Sequence, residues 1–154
     1  MLPATHIEIA AVVIACQGRI LAVHNARWGS FTIPMTKRRR WQDPAVLSGV
    51  REEEWSITAT RAVAEVLGRT LPKEELRKSL SQVRQYKQSD IDGIWKLYDI
   101  EIFQFKVKEE PPLAPGVIAE WLTPGEFQAR EPMSPTARFL LKELAKGKKL
   151  AIAS

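Results

Sequence analysis

A basic run with one aromatic residue is the most conspicuous chemical feature of this sequence: Lys37, Arg38, Arg39, Arg40 and Trp41 are consecutive. Guanidinium groups can grip phosphate oxygens in pairs, and an indole ring can stack on a nucleobase. The run therefore predicts a clamp for a phosphate-bearing ligand. The alternative interpretation is a solvated, mobile charge run, because basic runs are frequent and only weakly diagnostic.

Carboxylates form a second group of candidate functional residues. Glu52, Glu53 and Glu54 are consecutive and directly precede a predicted helix that contains Glu65. In proteins, Mg²⁺ is held by carboxylates together with substrate phosphates. The acidic run could fold towards Glu65, and that arrangement would be compatible with a metal-dependent active site.

Other catalytic signatures are missing from the sequence. His6 and His24 are far apart and have no clustered partners, and no nucleophile elbow, zinc-ligand spacing or P-loop occurs. Cys16 is the single cysteine, so no disulfide can form within the chain and a reducing, cytoplasmic location is expected. The apolar run before Cys16 resembles a lipoprotein cleavage site, but Glu8 interrupts it and no basic segment precedes it.

Length and composition indicate one globular domain over residues 1–154. The chain has 154 residues, of which 45% are hydrophobic and 27% are charged, and no internal repeat or low-complexity linker divides it. The formal net charge of +5 favours anionic partners such as nucleotides or nucleic acid. No apolar run reaches the roughly 18 residues that a membrane span needs, so no membrane partner is expected.

The apolar patterns predict the elements that must position these side chains. Gln17 and Gly18 predict a tight turn between the first two strands. Gly68 is placed to end the first helix, and Ser134 is placed to cap the last one. The order of elements predicts an α/β (α+β) fold with a mixed sheet flanked by helices, not a doubly wound parallel sheet. The predicted strands are 7–15, 19–24, 31–33, 80–88, 94–107 and 117–122, and the predicted helices are 56–67 and 135–146.

Apolar spacing also predicts which side of the helix 56–67 faces the core. Ala59, Val63, Val66 and Leu67 lie on one stripe at helical spacing and should be buried. In the strand 94–107, three aromatic residues should be core or pocket wall: Trp95, Phe103 and Phe105. The outward side of the helix is predicted to hold Thr58, Arg61, Ala62, Glu65 and Arg69.

The segments between these elements are predicted to be irregular. Residues 36–54 are rich in charge and are broken by Pro44 and Gly49, which favours a long loop with room for one helical turn. Loops of this length are usually functional or mobile. Residues 89–93 are predicted to connect two strands as a hairpin, and the basic tail 147–154 is predicted to fray.

The order of the predicted elements, together with several residues at fixed spacing, resembles the pattern of the Nudix family. The family's box is G-x5-E-x7-R-E-U-x-E-E-x-G-U, in which U is aliphatic, and a strand that ends in W-x-L-P-G-G precedes it. Glu53 stands eight residues before Arg61, as in E-x7-R, and Val63, Glu65 and Gly68 match their box positions. The resemblance covers nearly the whole chain and implies the Nudix fold. Further matches lie before and after the box: Trp28, Phe31, Ile33, Pro34, Lys37 and the segment 120–127.

Departures from the box bear on the chemistry that the resemblance implies. In active Nudix enzymes the helix glutamates bind Mg²⁺ or Mn²⁺, and the matching positions here are Ala62, Glu65 and Val66. The resemblance therefore implies a degraded metal site with Glu65 as its remaining acid. Without a metal, the attacking water keeps its bulk pKa and the leaving phosphate stays unneutralised. The long spacing from Pro34 to Arg61 implies an insertion at the mouth of the expected site.

Glu53 and Arg61 form a separate pair within the motif. The resemblance implies a structural ion pair that braces the preceding loop against the helix. The alternative is two exposed surface charges, and such charges contribute little to stability.

The residues leave three functions open. A binding or regulatory module with a nucleotide-sized cleft is favoured by the lost acids and needs no cofactor. An active Nudix-type pyrophosphohydrolase would use Mg²⁺ or Mn²⁺ and would recruit carboxylates from Glu52, Glu53, Glu54, Glu120 or Asp99. A basic nucleic-acid-binding domain would use the arginine run. The predicted catalytic residues are Glu65 and Glu53. If the chain is an active enzyme, the predicted metal ligand is Glu65. The predicted ligand-binding residues are Lys37, Arg38, Arg39, Arg40, Trp41 and Arg61.

Overall fold

The computed structural model describes residues 5–89 and 92–147. The predicted strands and helices are present, most with bounds that differ by a few residues, and the last helix has the predicted bounds. The elements are β1 (Thr5–Cys16), β2 (Arg19–Asn25), β3 (Ser30–Thr32), β4 (Met35–Lys37), β5 (Arg40–Gln42), β6 (Val50–Glu52), α1 (Trp55–Leu67), a short 3-10 turn (Lys73–Glu75), β7 (Arg77–Gln88), β8 (Trp95–Val107), β9 (Ala119–Leu122), α2 (Pro124–Ala129) and α3 (Pro135–Lys146).

β1 lies at the centre of a mixed sheet with the strand order β3-β2-β1-β8-β7. β1 and β8 are parallel and pair along their length, from Thr5 opposite Lys96 to Cys16 opposite Val107. β7 is antiparallel to β8, β4 pairs with β1, and β9 pairs with β2. The predicted mixed sheet is confirmed.

From Ala10 to Cys16, both faces of β1 are buried because helices cover the sheet on both sides. Val12 and Ile14 belong to the apolar cluster that contains Val63 of α1. Val13 points the other way and belongs to the cluster that contains Leu140 of α3. Successive residues of a strand face opposite sides of the sheet, so a strand buried on both sides is apolar almost throughout. The predicted arrangement of helices on the sheet is confirmed.

Segment 36–54 is not the long loop that the sequence predicted. It includes most of β4, which pairs with β1, and a separate antiparallel hairpin of β5 and β6. In the hairpin, Arg40 lies opposite Glu52 and Gln42 lies opposite Val50. The prediction is wrong because each of these strands is three residues long, which is too short to show an alternating pattern.

α1 buries a wider arc than its apolar stripe predicted. Ala59 and Val63 are buried as expected, and Glu65 is exposed as expected. Ala62 is only 1% exposed and Thr58 is fully buried, so the outward orientation predicted for these two residues is wrong. The reason is that α1 contacts β4 as well as β1, and the second neighbour covers the side next to the stripe.

Gly68 ends α1 in the way that the sequence predicted. Its φ of 71° lies in the left-handed region, which favours glycine. Its N–H donates to the carbonyl of Ala64 at 2.8 Å. A Cβ at this position would lie 3.3 Å from the Cβ of Ala114, so packing disfavours a larger residue as well.

The β7–β8 ribbon differs from expectation at one aromatic residue. Phe103 and Phe105 are buried as predicted, but Trp95 is 50% exposed and stacks on Tyr86 with 5.3 Å between ring centroids. Trp95 is the first residue of β8 and belongs to neither core cluster, so its predicted burial is wrong.

Residues 90–91 of the predicted connection and 148–154 of the predicted tail lie outside the described residues. No helix in the described ranges is long and apolar enough to cross a membrane.

Candidate functional site

A cleft opens beside α1. The turn between β2 and β3, the strand β4 and one side of α1 enclose a cavity of about 450 Å³, which we call the α1 cleft. The fold places here the helix positions at which the family resemblance implies metal-binding acids. The residues of the wall that bear on its chemistry are Arg27 and Trp28 from the turn, Lys37 from β4, and Ala62, Glu65 and Val66 from α1.

The α1 cleft offers few donors to a divalent metal: besides Glu65, its wall holds the His24 imidazole and the Asn25 carboxamide. Glu65 is the only carboxylate among the described residues that line the cleft, and Ala62 and Val66 beside it offer only alkyl groups. No group of three or more histidine, cysteine, aspartate or glutamate residues in the described ranges could hold a metal ion. Mg²⁺ in proteins is held by one or two carboxylates together with substrate phosphates and water, so Glu65 could contribute at most one protein carboxylate to such an ion.

Glu53 and Arg61 form a buried ion pair where the chain enters α1. Arg61 Nε donates to Glu53 Oε2 at 2.7 Å, and Arg61 Nη2 donates to Oε1 at 2.8 Å. Thr58 Oγ1 and the Arg39 N–H also donate to Oε1, at 2.8 and 3.2 Å. Glu53 is 7% exposed. Burial acts against ionisation, but the hydrogen bonds from Arg61 lower the pKa of Glu53 to about 2.

This pair connects three parts of the chain. Arg61 Nη2 also donates to the carbonyl of Lys37 at 2.7 Å, so one guanidinium joins the end of β4, the segment before α1 and α1 itself. The structural ion pair is confirmed. Glu53 does not line the α1 cleft and has the geometry of a structural carboxylate. Its predicted catalytic role and the predicted ligand-binding role of Arg61 stay predictions.

Arg38, from the arginine run, is bound to carboxylates of the same chain. Its Nη1 donates to Glu52 at 2.9 Å and lies 3.3 Å from Glu8, and its Nε donates to the carbonyl of Glu53 at 2.6 Å. Its guanidinium carbon lies 4.9 Å from the centre of the Trp55 ring. The Arg38 side chain is 14% exposed and is therefore packed, not solvated.

Arg40 contacts the same two carboxylates, but its side chain is 49% exposed. Its Nη2 donates to Glu8 and lies 3.5 Å from Glu52. Together with the contacts of Arg38, these pairs attach the β5–β6 hairpin to β1. Neither arginine lines the α1 cleft. Both line a smaller cavity of about 210 Å³, together with Glu8 and Lys37. Their predicted ligand-binding role stays a prediction.

The other members of the basic run are placed differently. Lys37 lines the α1 cleft, and within the described residues its ammonium has no hydrogen-bond or ion-pair partner. The Arg39 side chain has no such partner among those residues either, but it does not line the cleft. Trp41 is exposed on β5. The fold therefore directs one cation of the run into the cleft.

Arg27 and Trp28 are candidates that the sequence analysis missed as binding residues. They lie in the turn between β2 and β3, where the Asn25 side chain accepts a hydrogen bond from the Arg27 N–H at 2.9 Å. Both residues line the α1 cleft, and among the described residues the Arg27 guanidinium has no partner. The available signal was a cation and an aromatic ring in a short turn before the box, which resembles many ordinary surface turns.

A second cavity of about 380 Å³, which we call the α3 cavity, adjoins the cleft. The two share Ile9, Arg27, Trp28 and Met35 in their walls. The sequence did not predict this cavity, because its walls come from strands and a helix that only folding brings together. Its remaining wall includes Lys87 of β7, Tyr98 and Ile100 of β8, Met133, and Ser134, Pro135 and Thr136 at the beginning of α3.

The carboxylates that could have replaced the missing acids are paired elsewhere. Glu54 lies 2.9 Å from Lys73, Asp99 lies 2.9 Å from Arg84 and also bonds His6, and Glu120 lies 2.6 Å from Arg130. Arg38 and Arg40 hold Glu52, as described above. None of these carboxylates lines the α1 cleft.

Comparison with known proteins gives matches at the level of structure. No family model matches the chain, and no curated protein matches it by sequence. A MutT protein from Methanosarcina mazei Go1 superposes with a TM-score of 0.66 and 18% identity, over 97% of this chain and 100% of that chain. The Nudix domain of Shewanella oneidensis NrtR, complexed with ADP ribose, gives 0.62 and 12%, over 96% and 90%. A C. elegans Ap4A hydrolase gives 0.58 and 15%, over 92% and 98%.

This chain therefore has the Nudix fold, as the sequence resemblance implied. The superpositions extend over nearly the full length of this chain and of each match. At these identities the likeness concerns the fold, and the chemistry of the site has to be argued from the chain's own residues.

Proposed function

We propose that this Nudix-fold chain is a binding module for a phosphate-bearing, nucleotide-like ligand and has little or no hydrolase activity. One observation carries the proposal: in the α1 cleft, Glu65 is flanked by Ala62 and Val66, where the resemblance implies two further acids. A single carboxylate is a weak site for a divalent ion, which is otherwise held by substrate phosphates and water. Without that ion, neither the attacking water nor the leaving phosphate is activated.

The charge of the cleft supports binding without a metal. Arg27 and Lys37 bring two cations into a wall with one carboxylate, Glu65. A guanidinium can hold two phosphate oxygens at once, and an ammonium adds a point charge. Trp28 is 43% exposed and lines the same cleft, so its indole is available to a planar ring.

The structural neighbours support the class of ligand. One Nudix domain of the same fold was solved with ADP ribose, and another neighbour is named as an Ap4A hydrolase. Both named compounds are nucleotides. A cytoplasmic location is also part of the proposal, because Cys16 is a free, buried thiol and such thiols suit a reducing compartment.

Calorimetric titration of the full chain with ADP and with inorganic pyrophosphate tests the binding half of the proposal. We expect both to bind equally well with and without EDTA. Arg27→Ala and Lys37→Ala should each weaken binding about tenfold, because each removes a charge-assisted contact. Arg69→Ala is the matched control, since this exposed arginine lies beyond α1 and outside the cleft wall. Binding that requires added Mg²⁺ would contradict the proposal.

An assay for phosphate and nucleoside monophosphate release tests the other half. We expect little or no Mg²⁺-dependent hydrolysis of nucleoside diphosphate-linked substrates. Release at an ordinary enzymatic rate, abolished both by chelator and by Glu65→Gln, would establish the hydrolase alternative instead. If an oligonucleotide binds with a much steeper salt dependence than ADP, the nucleic-acid alternative is favoured, because more phosphates then release counterions.

A further inference from the structure

The charged and uncharged parts of the α1 cleft lie at different depths. The acidic and basic side chains of its described wall are all exposed and form its rim: Arg27, Lys37 and Glu65. The buried residues of the wall form what we call the cleft floor: Thr32, Ile33, Pro34, Ala62 and Val66. A charged group moved from the rim to the floor would lose its water and gain no ionic partner there. A phosphate is therefore held at the rim, and the floor is left for an uncharged part of the ligand.

β3 turns the Thr32 side chain towards α1. Thr32 lies directly opposite Val23 of β2, and residues directly opposite each other in an antiparallel pair share one face of the sheet. Val23 packs against the apolar cluster that contains Ala62 and Val66 of α1. The preceding residue, Phe31, belongs to the cluster on the α3 side, as the alternation of a strand requires. Thr32 therefore brings a hydroxyl to the floor, between β3 and α1.

The Thr32 hydroxyl is buried and unpaired within the described part of the chain. Thr32 is 5% exposed, and its Oγ1 has no hydrogen-bond partner among the described residues. Buried hydroxyls are ordinarily paired, because an unpaired one loses its hydrogen bonds to water. Thr60 of α1, which is also buried, shows the ordinary arrangement: its Oγ1 donates to the carbonyl of Ile57 at 2.7 Å. A threonine hydroxyl turns among staggered positions and can donate or accept, so Thr32 can pair with either kind of ligand atom in the cleft.

The floor sets two conditions for the ligand group that it receives. Its surface is otherwise hydrocarbon, from Ile33, Pro34, Ala62 and Val66, and such a surface favours burial of an uncharged body. The Thr32 hydroxyl favours a group that also carries a hydrogen-bond donor or acceptor. A nucleobase is the part of a nucleotide that meets both conditions, because its faces pack on alkyl groups and its edge carries donors and acceptors.

We propose that the ligand is a nucleotide that enters the α1 cleft with its base first. The base lies on the floor and forms a hydrogen bond with Thr32, and the phosphates stay at the rim beside Arg27 and Lys37. Ala62 and Val66 then contact the base at the helix positions where the family resemblance implies metal-binding acids. This inference rests on the proposed function for the α1 cleft, and it adds the orientation of the ligand and a residue that selects for the base.

Ligands with and without a base test the inference in calorimetric titrations of the full chain. ADP, GDP, CDP and UDP are compared with ribose 5-diphosphate, which is the part that all four share. At least one of the four should bind about tenfold more tightly than ribose 5-diphosphate, because burial of the base on the floor adds to the affinity. The base that gives the largest gain identifies the preferred nucleotide. Inorganic pyrophosphate serves as the probe for the rim alone.

Variants at Thr32 assign that gain to the floor. Thr32→Val removes the hydroxyl at nearly constant size, and it should weaken binding of the preferred nucleotide about fivefold and leave the affinity for pyrophosphate unchanged. Thr32→Ser keeps a hydroxyl and should keep most of the affinity. Thr32→Ala removes the hydroxyl a second way, so a folding defect of the valine variant does not decide the test. Thr60→Val is the matched control, because the Thr60 hydroxyl is bonded within α1 and does not line the cleft.

The outcomes separate this inference from the proposed function. If pyrophosphate binds in an Arg27-dependent way and no nucleoside diphosphate binds more tightly than ribose 5-diphosphate, the proposed function stands and the base-first orientation is overturned. A gain that Thr32→Val and Thr32→Ala leave unchanged also overturns it, and so does an equal loss of affinity for pyrophosphate in these variants. If none of these ligands binds, or if Arg27→Ala changes no affinity, the proposed function fails and this inference fails with it.

Discussion

The two sides of α1 keep the box pattern to very different degrees. Beside β4, Glu53 and Arg61 match the motif and form a buried bidentate pair. In the cleft, Ala62 and Val66 depart from it and leave Glu65 alone. A buried pair that loses one member leaves an uncompensated charge, whereas carboxylates that share a cleft repel one another unless a cation neutralises them. A stable fold therefore depends on the Glu53–Arg61 pair, whereas further acids beside Glu65 would be needed only for metal chemistry.

Removal of the guanidinium from the buried pair should have the largest effect on stability. Arg61→Ala leaves the buried carboxylate of Glu53 unpaired, so we expect the free energy of unfolding to fall by about 4 kcal/mol. Urea denaturation measures the loss. Arg69→Ala removes an exposed arginine just beyond the same helix and should change stability by less than about 0.5 kcal/mol. Equal losses in the two variants would show that the pair does not brace the fold.

Lowering the pH should remove the contribution of the Glu53–Arg61 pair to the free energy of unfolding, because Glu53 becomes protonated. The folded-state pKa of Glu53 is about 2, below its ordinary value of 4.5, so folding favours the carboxylate form. Its contribution, on the order of 3 kcal/mol, is complete above about pH 4.5 and is lost as the pH falls towards 2. Stability measured against pH should show this loss in wild type and much less of it in Glu53→Gln. Glu65→Gln, a change on the cleft side, should keep the wild-type profile.

Acids introduced at positions 62 and 66 of the α1 cleft should lower the stability of the fold and raise its affinity for metal. Ala62→Glu with Val66→Glu places carboxylates at two buried positions, and we expect a loss of about 2 kcal/mol in the absence of metal. Mn²⁺ should then bind at least about tenfold more tightly than in wild type, because three carboxylates can share the ion. Ala62→Gln with Val66→Gln is the control of similar size without charge. A folded acidic variant with no gain in Mn²⁺ affinity would show that this side of α1 does not face a metal-sized site.

Replacing Arg38 or Arg39 of the basic run should have smaller effects on stability, and the two effects should differ. Arg38→Ala removes a packed side chain that holds Glu8 and Glu52, so we expect a loss of about 1 kcal/mol. Arg39→Ala should cost close to nothing, because within the described residues its side chain has no ion-pair or hydrogen-bond partner. Thermal unfolding of the two variants measures the difference. If Arg39→Ala is the more damaging change, the account of the hairpin attachment is wrong.

Much of the fold followed from local pattern. The β-branched apolar run predicted β1 as a strand, and Gly68 predicted where α1 ends. The short strands β4, β5 and β6 could not be predicted, because three residues do not form a recognisable alternation. Their partners are also distant in sequence: β4 pairs with Ile9, Ala10 and Ala11.

For the candidate site too, some features could be predicted from the sequence and others depend on the tertiary structure. The identities of Ala62, Glu65 and Val66 and the spacing of Glu53 and Arg61 were visible in the sequence, because one helix and the residues just before it carry them. The sequence by itself thus determined which acids are missing. Only the tertiary structure decided that Glu8 and Glu52 hold Arg38 and Arg40, and that Arg27 and Lys37 line the α1 cleft instead. The physical reason is that the availability of a charge depends on its neighbours in space, and β1, the β2–β3 turn, β7 and α3 become neighbours only when the sheet assembles.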